Sequence, residues 1–291
     1  MRAELKELWR FRELLWAMVE RELRIRYKNS LLGFFWSLLN PLVTVLVITV
    51  VFKFFLQNGT NNYSAYVLAA YLPFMFFQVC IMDSAQSVLG AVPIIKKVYF
   101  PREILPLSNV IANFIHFLLA LCVYFVYLFV LWGVTGFATS PFTWKIFFLP
   151  VLLIVNFALA AGVSFFVSAY NVFYEDVKYV VGVALYLMFF LTPVMYFSET
   201  VYYALKAKGM VWAYYLYHLN PVATLSTAYR KTLVPTGMIE VKPGPGQAPV
   251  QMYMLDFDWT LFWIAVAVSL VLLVTGYAAF NKLKWRFVER P

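Results

Sequence analysis

The sequence predicts an all-α polytopic membrane protein: six transmembrane helices, an N-terminal amphipathic interface helix, and two short re-entrant helices between spans five and six. Three observations predict it. Of the 291 residues, 63% are apolar and only 13% charged, whereas soluble domains sit at roughly 45–50% apolar. The apolar residues gather in runs long enough to cross a bilayer. The basic residues, which give a net charge of +9, sit at the edges of those runs. That is the pattern of anionic-lipid contact and the positive-inside rule, not of nucleic-acid binding.

Taken in order, residues 1–30 carry eight Lys/Arg and five Glu. Leu5, Leu8, Trp9, Leu15, Trp16, Val19 and Leu23 recur at helical spacing, so this segment predicts a basic amphipathic helix in the cytoplasmic interface. A stretch so charged has no apolar leader core, and no signal peptide is expected. Phe34–Leu56 is the first span. Its residues reach about 34 Å at 1.5 Å each, against a core of about 30 Å. Asn40-Pro41 should kink it, and Lys53 can snorkel outward. Gln57–Ser64 is an uncharged outer turn. Ala65–Met82, carrying Pro73, is the second span.

Asp83–Pro106 reads as a cytoplasmic loop with a short helix near Asp83–Leu89. Lys96, Lys97, Arg102 and Glu103 lie within eight residues of one another. Each charge at the bilayer centre costs roughly 3 kcal/mol, so the stretch stays out of the hydrocarbon. Pro101 and Pro106 should break it into short pieces. Two readings stand: a docking surface for a partner, or a topology anchor.

Leu107–Trp132 is the third span, Gly133–Trp144 an outer loop, and Ile146–Val167 the fourth span. Ser168–Lys178, with Glu175 and Asp176, is a second cytoplasmic loop, and Tyr179–Tyr196 the fifth span. Phe197–Asp258 is the longest connection. Its Tyr and Trp residues belong at headgroup level, and an amphipathic piece, Val222–Leu233, follows Leu219-Asn220-Pro221. Two helices dipping into the outer leaflet are expected, then a hairpin-like tip at Lys242–Gly246. Trp259–Phe280 is the sixth span, before a basic tail. The chain thus divides as one transmembrane domain: 1–30 interface helix, 34–196 spans one to five, 197–258 outer segment, 259–281 span six, 282–291 tail. Six spans put both termini on one side, and their basic residues make it the cytoplasm.

Several chemistries are missing. No G-x-x-x-x-G-K-[ST] loop occurs, so the chain has no such route to ATP hydrolysis. Neither H-E-x-x-H, G-x-S-x-G nor C-x-x-C is present. Cys80 and Cys122 fall in apolar runs and read as small buried hydrophobes. His116 is the best ionisable candidate at membrane depth, and a packing histidine is its simpler reading. A secondary transporter or a channel would need midplane charges or a filter. Any work against a gradient therefore draws on another chain. Aromatics, 20% of residues, belong to the core and the interfacial belts, but some can stack on sugar faces. Phe74, Phe76, Phe77, Gln78 and the stretch from Tyr186 to Tyr196 are the candidates.

Several stretches resemble one family. They are Arg26-Tyr27-Lys28 with Ser30, Leu32-Gly33, Trp36-Ser37 and Pro41; Leu72-Pro73-Phe74 with Phe76-Phe77; Lys96-Lys97-Val98-Tyr99-Phe100-Pro101-Arg102-Glu103-Ile104-Leu105-Pro106; Asp176-Val177; and Leu219-Asn220-Pro221 with Arg230. The chain is similar to ABC type-2 permeases that export polysaccharides and polyol phosphates: O-antigen, capsule and teichoic acid exporters. Glu175 stands where that family often has an arginine. The resemblance implies a homodimer with two ATP-binding-cassette subunits, which carry the ATP and Mg; this chain holds no cofactor or metal and is not an enzyme. It implies a lipid-linked glycopolymer as substrate, membrane lipids but no nucleic acid as partners, and a multi-pass place in the bacterial cytoplasmic membrane. ATPase coupling falls to Lys96, Lys97, Tyr99, Phe100, Pro101, Arg102, Glu103, Glu175 and Asp176. The channel falls to Tyr27, Trp36, Phe74, Phe77, Gln78, Tyr186 and Tyr196, and the outer gate to Asn220, Pro221 and Arg230. The rival readings are an ABC type-2 exporter of a drug or small lipid, and a membrane-embedded glycosyl- or acyltransferase.

Overall fold

The structure, a computed structural model, describes residues 2–27, 34–51, 63–134, 144–234, 238–241 and 250–288. Residues 57–62 of the expected outer turn, the Lys242–Gly246 tip and Lys53 lie outside them, while Tyr63 and Ser64, expected in that turn, already belong to a helix. Helices α1 (Arg2–Arg10) and α2 (Arg12–Tyr27) replace the single interface helix. They meet at Phe11, which packs with Leu14 and Met18 on the core while Trp9 and Trp16 stay exposed. The inward spacing is helical, so one face of α2 lies against the bundle.

Among the described residues, four helices are long and apolar enough to cross a membrane. They are α4 (Tyr63–Gly90), α6 (Ile104–Val134), α7 (Leu149–Phe173) with the 3-10 turn Trp144–Phe148 before it, and α12 (Trp259–Leu283) with Lys284–Val288 after it. Two further apolar helices are shorter: α3 (Phe34–Val50), 17 residues, and α8 (Val177–Leu191), 15 residues. α3 is helical through Pro41.

Several boundaries differ from expectation, each for a local reason. α4 does not stop at Met82 but runs on to Gly90. Polar partners hold the extension: Asn113 Nδ2 donates to Asp83 Oδ2 at 2.9 Å and Asn171 Nδ2 to the Ala85 carbonyl at 2.8 Å. The loop is correspondingly shorter, with one helical turn, α5 (Val92–Ile95), inside it. Pro106 does not break the loop; it sits in the first turn of α6, where a missing N–H costs nothing. α7 continues past Val167 to Phe173, which shrinks the second loop to Tyr174–Asp176. α8 ends at Leu191 rather than Tyr196 because Pro193 follows Thr192, whose backbone is extended (φ −89°, ψ 148°).

The connection after α8 holds three helices, not two: α9 (Ser198–Ala207), α10 (Val211–His218) and α11 (Pro221–Leu233). Gly209, with φ +70°, makes the turn between the first two. A two-stranded antiparallel ladder, absent from the all-α expectation, pairs β1 (Met238–Val241) with β2 (Val250–Tyr253), Met238 opposite Tyr253. Ile239, Val241 and Val250 suit strands.

The core forms around α4, which is buried on nearly every side. α7 packs chiefly on α12 and α4, and α11 packs on α4 and α12. α7 and α12 cross at Gly162 and Gly276 with backbones touching: a Cβ on Gly162 would meet the Leu272 carbonyl carbon at 2.6 Å. Small residues at a crossing let helices gain dispersion contact where lipid offers no hydrophobic drive. Cys80 is buried, but Cys122 is exposed on α6. α6 is buried on most sides from Ile104 to Asn113, and beyond that only one stripe, Phe117, Leu121, Tyr124 and Leu128, faces inward.

Candidate functional site

The loop after α5 is built as a braced tip. Lys96, Lys97, Val98 and Tyr99 are exposed, whereas Phe100 and Pro101 are buried. Glu103 is 1% exposed, and its Oε1 accepts from Lys284 Nζ at 2.6 Å. Burying two charges is costly unless they are paired; here Lys284 meets Oε1, while Oε2 has no hydrogen-bond partner among the described residues. Arg102 donates to the Lys284 carbonyl and lies over the Phe287 ring at 6.0 Å. Tyr99 OH donates to Glu7 Oε1 of α1 at 2.8 Å, which raises the Tyr99 pKa. Arg102 and Glu103, expected as partner contacts, both hold the loop to the C-terminal turn. The second loop lies exposed at Tyr174, Glu175 and Asp176. Asn171, which the sequence reading passed over, joins this loop to the bundle: its Oδ1 accepts from the Lys178 N–H at 3.1 Å while its amide reaches α4.

A second polar cluster gathers α9 to α11 with α12. Asn220 caps α11 by accepting from the Val222 N–H at 3.1 Å, with Pro221 as first helical residue. Arg230 is 2% exposed. Its Nε donates to the Tyr66 carbonyl at 3.3 Å, and its Nη1 to Tyr66 OH at 3.4 Å and the Tyr196 carbonyl at 2.8 Å. Nη2 donates to the Val194 carbonyl. The guanidinium stacks 4.1 Å from the Tyr66 ring centroid. Tyr196 and Tyr217 share a hydroxyl contact of 2.9 Å. Lys231 Nζ donates to the Asp256 carbonyl at 2.9 Å and lies 3.8 Å from Glu199 Oε1. Desolvation lowers its pKa, and Glu199 opposes the shift.

His218 was not among the expected residues; one buried histidine in a Tyr-rich stretch gave no signal. Its Nδ1 bonds the Tyr214 carbonyl at 3.1 Å, and its Nε2 has no hydrogen-bond partner among the described residues. Burial pulls its pKa from 6.5 to about 4. The unfolded chain then binds more protons than the folded one across that window, so His218 favours folding above pH 6.5 and this contribution is lost as pH falls toward 4. The loss approaches about 3 kcal/mol. The melting temperature of detergent-purified protein should fall across that interval, and His218→Gln should flatten the fall. Equal slopes in the two proteins would exclude the histidine as its source.

The expected channel residues separate. Phe74 and Phe77 are packed inside the protomer, 1% and 4% exposed, with Phe74 against Phe189 at 5.5 Å. Gln78 and Tyr196 are half-buried. Tyr186 is exposed on α8, in a stripe with Tyr179, Val183, Leu187 and Phe190. The side chains of Tyr27 and Trp36 lie outside the described residues. His116, on α6, is half-buried.

A family model described as ABC-2 type transporter matches residues 13–234. The O-antigen export system permease protein RfbA of Klebsiella pneumoniae is 29% identical over 277 residues, 95% of this chain and 94% of that protein. RfbA of Myxococcus xanthus is 29% identical over 251 residues, 86% of this chain and 91% of its own. The polysialic acid transport protein KpsM of Escherichia coli is 22% identical over 228 residues, 75% and 80% of the two chains.

Proposed function

Because the chain belongs to the ABC-2 type transporter family, we propose that it is the membrane-spanning permease subunit of an ATP-driven exporter of lipid-linked cell-surface polysaccharide. The observation that carries this reading is the similarity to O-antigen export permeases over 95% of the chain. In this reading α3 and α8 join the four long helices as six spans, with both termini cytoplasmic. Two copies assemble with two ATP-binding subunits, which hold ATP and Mg and carry out hydrolysis.

The geometry suggests how force enters. Lys96, Lys97 and Tyr99 project from a loop anchored before them by buried Ile95 and after them by Phe100 in the core, buried Pro101 and Glu103 on Lys284. A braced tip transmits a push, whereas a floppy one absorbs it. Glu175 and Asp176 add a second contact surface beside it. Binding of ATP to the partner presses on these loops, and the helices shift as bodies. The exposed α8 stripe with Tyr186 faces the second copy across the polymer path, which Tyr27, Trp36, Gln78 and Tyr196 extend. Phe74 and Phe77 support α8 from behind. α9 to α11 dip into the outer leaflet and cap the exit, held by Asn220, Pro221 and Arg230.

The test is Lys96→Glu with Lys97→Glu, which leaves in place the bond from Tyr99 to Glu7. Exposed substitutions of this kind change stability by about 0.5 kcal/mol or less, so insertion and melting should match wild type. Co-purification of the ATPase and ATP-dependent polymer export should fall tenfold or more. Wild-type export with the ATPase still bound would overturn the reading.

A further inference from the structure

We propose that the C-terminal turn Lys284–Val288 is a strut that joins the coupling loop to α12, with Lys284 as its positioning residue. The inference rests on the exporter reading and extends it to a segment for which that reading has no task. The turn continues α12 directly. Its first residue reaches the loop twice, through Lys284 Nζ to Glu103 Oε1 at 2.6 Å and through its carbonyl, which accepts from Arg102. Both side chains of the ion pair are under 10% exposed. Charge pairs so far from solvent are screened little by salt. Phe287, 1% exposed, plugs the turn into the bundle. Its ring lies 5.4 Å from Phe280 of α12 and 5.9 Å from Phe173 at the end of α7. α5, on the other side of the loop, also packs on this turn.

A topology anchor has no need of this construction. A basic tail that only marks the cytoplasmic side keeps its lysines in water, as Trp285 beside it stays exposed. Here the lysine is buried and spent on the residue that ends the loop. Downstream of the strut, α12 crosses α7 at Gly162 and Gly276 with backbone in contact. A push on Lys96–Tyr99 therefore passes through Arg102 and Glu103 to the turn, and from there moves α12 and α7 together.

The experiment uses the full chain with its ATPase in proteoliposomes, and reads ATPase co-purification, ATP hydrolysis and polymer moved per ATP. Lys284→Met should keep the ATPase bound and hydrolysing within twofold while polymer moved per ATP falls tenfold or more. The reversed pair, Glu103→Lys with Lys284→Glu, should recover to within about threefold of wild type. Glu103→Gln, which keeps the shape and an acceptor oxygen, should fall between. Unchanged transport per ATP in Lys284→Met overturns the strut. So does parallel loss of ATPase binding in every variant, which would make the pair a matter of loop folding alone. If Lys284→Met does not fold, the reversed pair and Glu103→Gln decide by the same ratio. A wild-type complex that moves no polymer on ATP overturns the exporter reading, and the strut falls with it.

Discussion

Gly276→Ala is expected to destabilise the protein, although it places the better helix former in the middle of a helix. Propensity alone favours alanine by about 1 kcal/mol. Packing opposes it. A Cβ at Gly276 would run into the carbonyl oxygen of Gly162, and the reciprocal Cβ at Gly162 would meet the Leu272 carbonyl carbon and the Leu273 nitrogen, each at 2.6 Å. These are backbone atoms, with no rotamer to turn aside. The helices must separate along the crossing, and every dispersion contact around it weakens together. Overpacking typically costs 1–3 kcal/mol and at times more (about that range), so the net sign is negative. Gly276→Leu should be worse still. Gly182→Ala is the control, because its Cβ would meet the flexible Met82 side chain, its methyl at 3.7 Å and its sulfur at 3.9 Å. Thermal melting in detergent reads all three. A Gly276→Ala protein melting at or above wild type would show that α7 and α12 part without loss, and would remove the rigid pair on which the force path depends.

The crossing also marks what the sequence reading could reach. Long apolar runs announced the four helices that are long enough to span, because lipid forces every backbone donor to be satisfied within its own helix. Boundaries were harder. Asp83 opens the first expected loop and Asn171 falls unremarked inside the second, yet Asp83 accepts an amide from Asn113 of α6 and Asn171 sends its own amide to α4. Hydropathy counts the polar atom and cannot see its partner. Helix contacts were invisible for a related reason: a glycine in an apolar run reads as a slightly weaker helix former, and only the neighbouring backbone gives it a purpose. The loop at Lys96 to Glu103 was legible as a special stretch from its charge density. That Glu103 faces inward to Lys284, 181 residues away, was not, since pairing between distant charges leaves no local pattern. Arg230 was singled out by resemblance, and its place in the structure explains it physically.

Arg230→Met is expected to release the outer segment while leaving the rest of the bundle inserted. The arginine donates to three carbonyls and one hydroxyl on α4 and on the turn after α8. It thereby fastens α11 to two elements at once. The turn needs the fastening because Pro193 ends α8 early, and Val194 and Tyr196 leave carbonyls to be satisfied. Methionine fills the volume and supplies no donor. Each charged hydrogen bond contributes about 1.5–3 kcal/mol; losing several, with partial repair by water, should cost about 3–5 kcal/mol. Lysine should not rescue, because an ammonium offers a point charge where the site uses a planar fork and stacks it on Tyr66. The measurement is thiol labelling of single cysteines placed at Thr227 and Ala228, both buried in the segment, in a background lacking Cys80 and Cys122. In wild type both should label slowly; in Arg230→Met both should label at least tenfold faster, with membrane insertion unchanged. Slow labelling in Arg230→Met, or full protection with Arg230→Lys, would show that packing of α11 on α4 and α12 holds the segment by itself, and that the guanidinium fork is not what closes it.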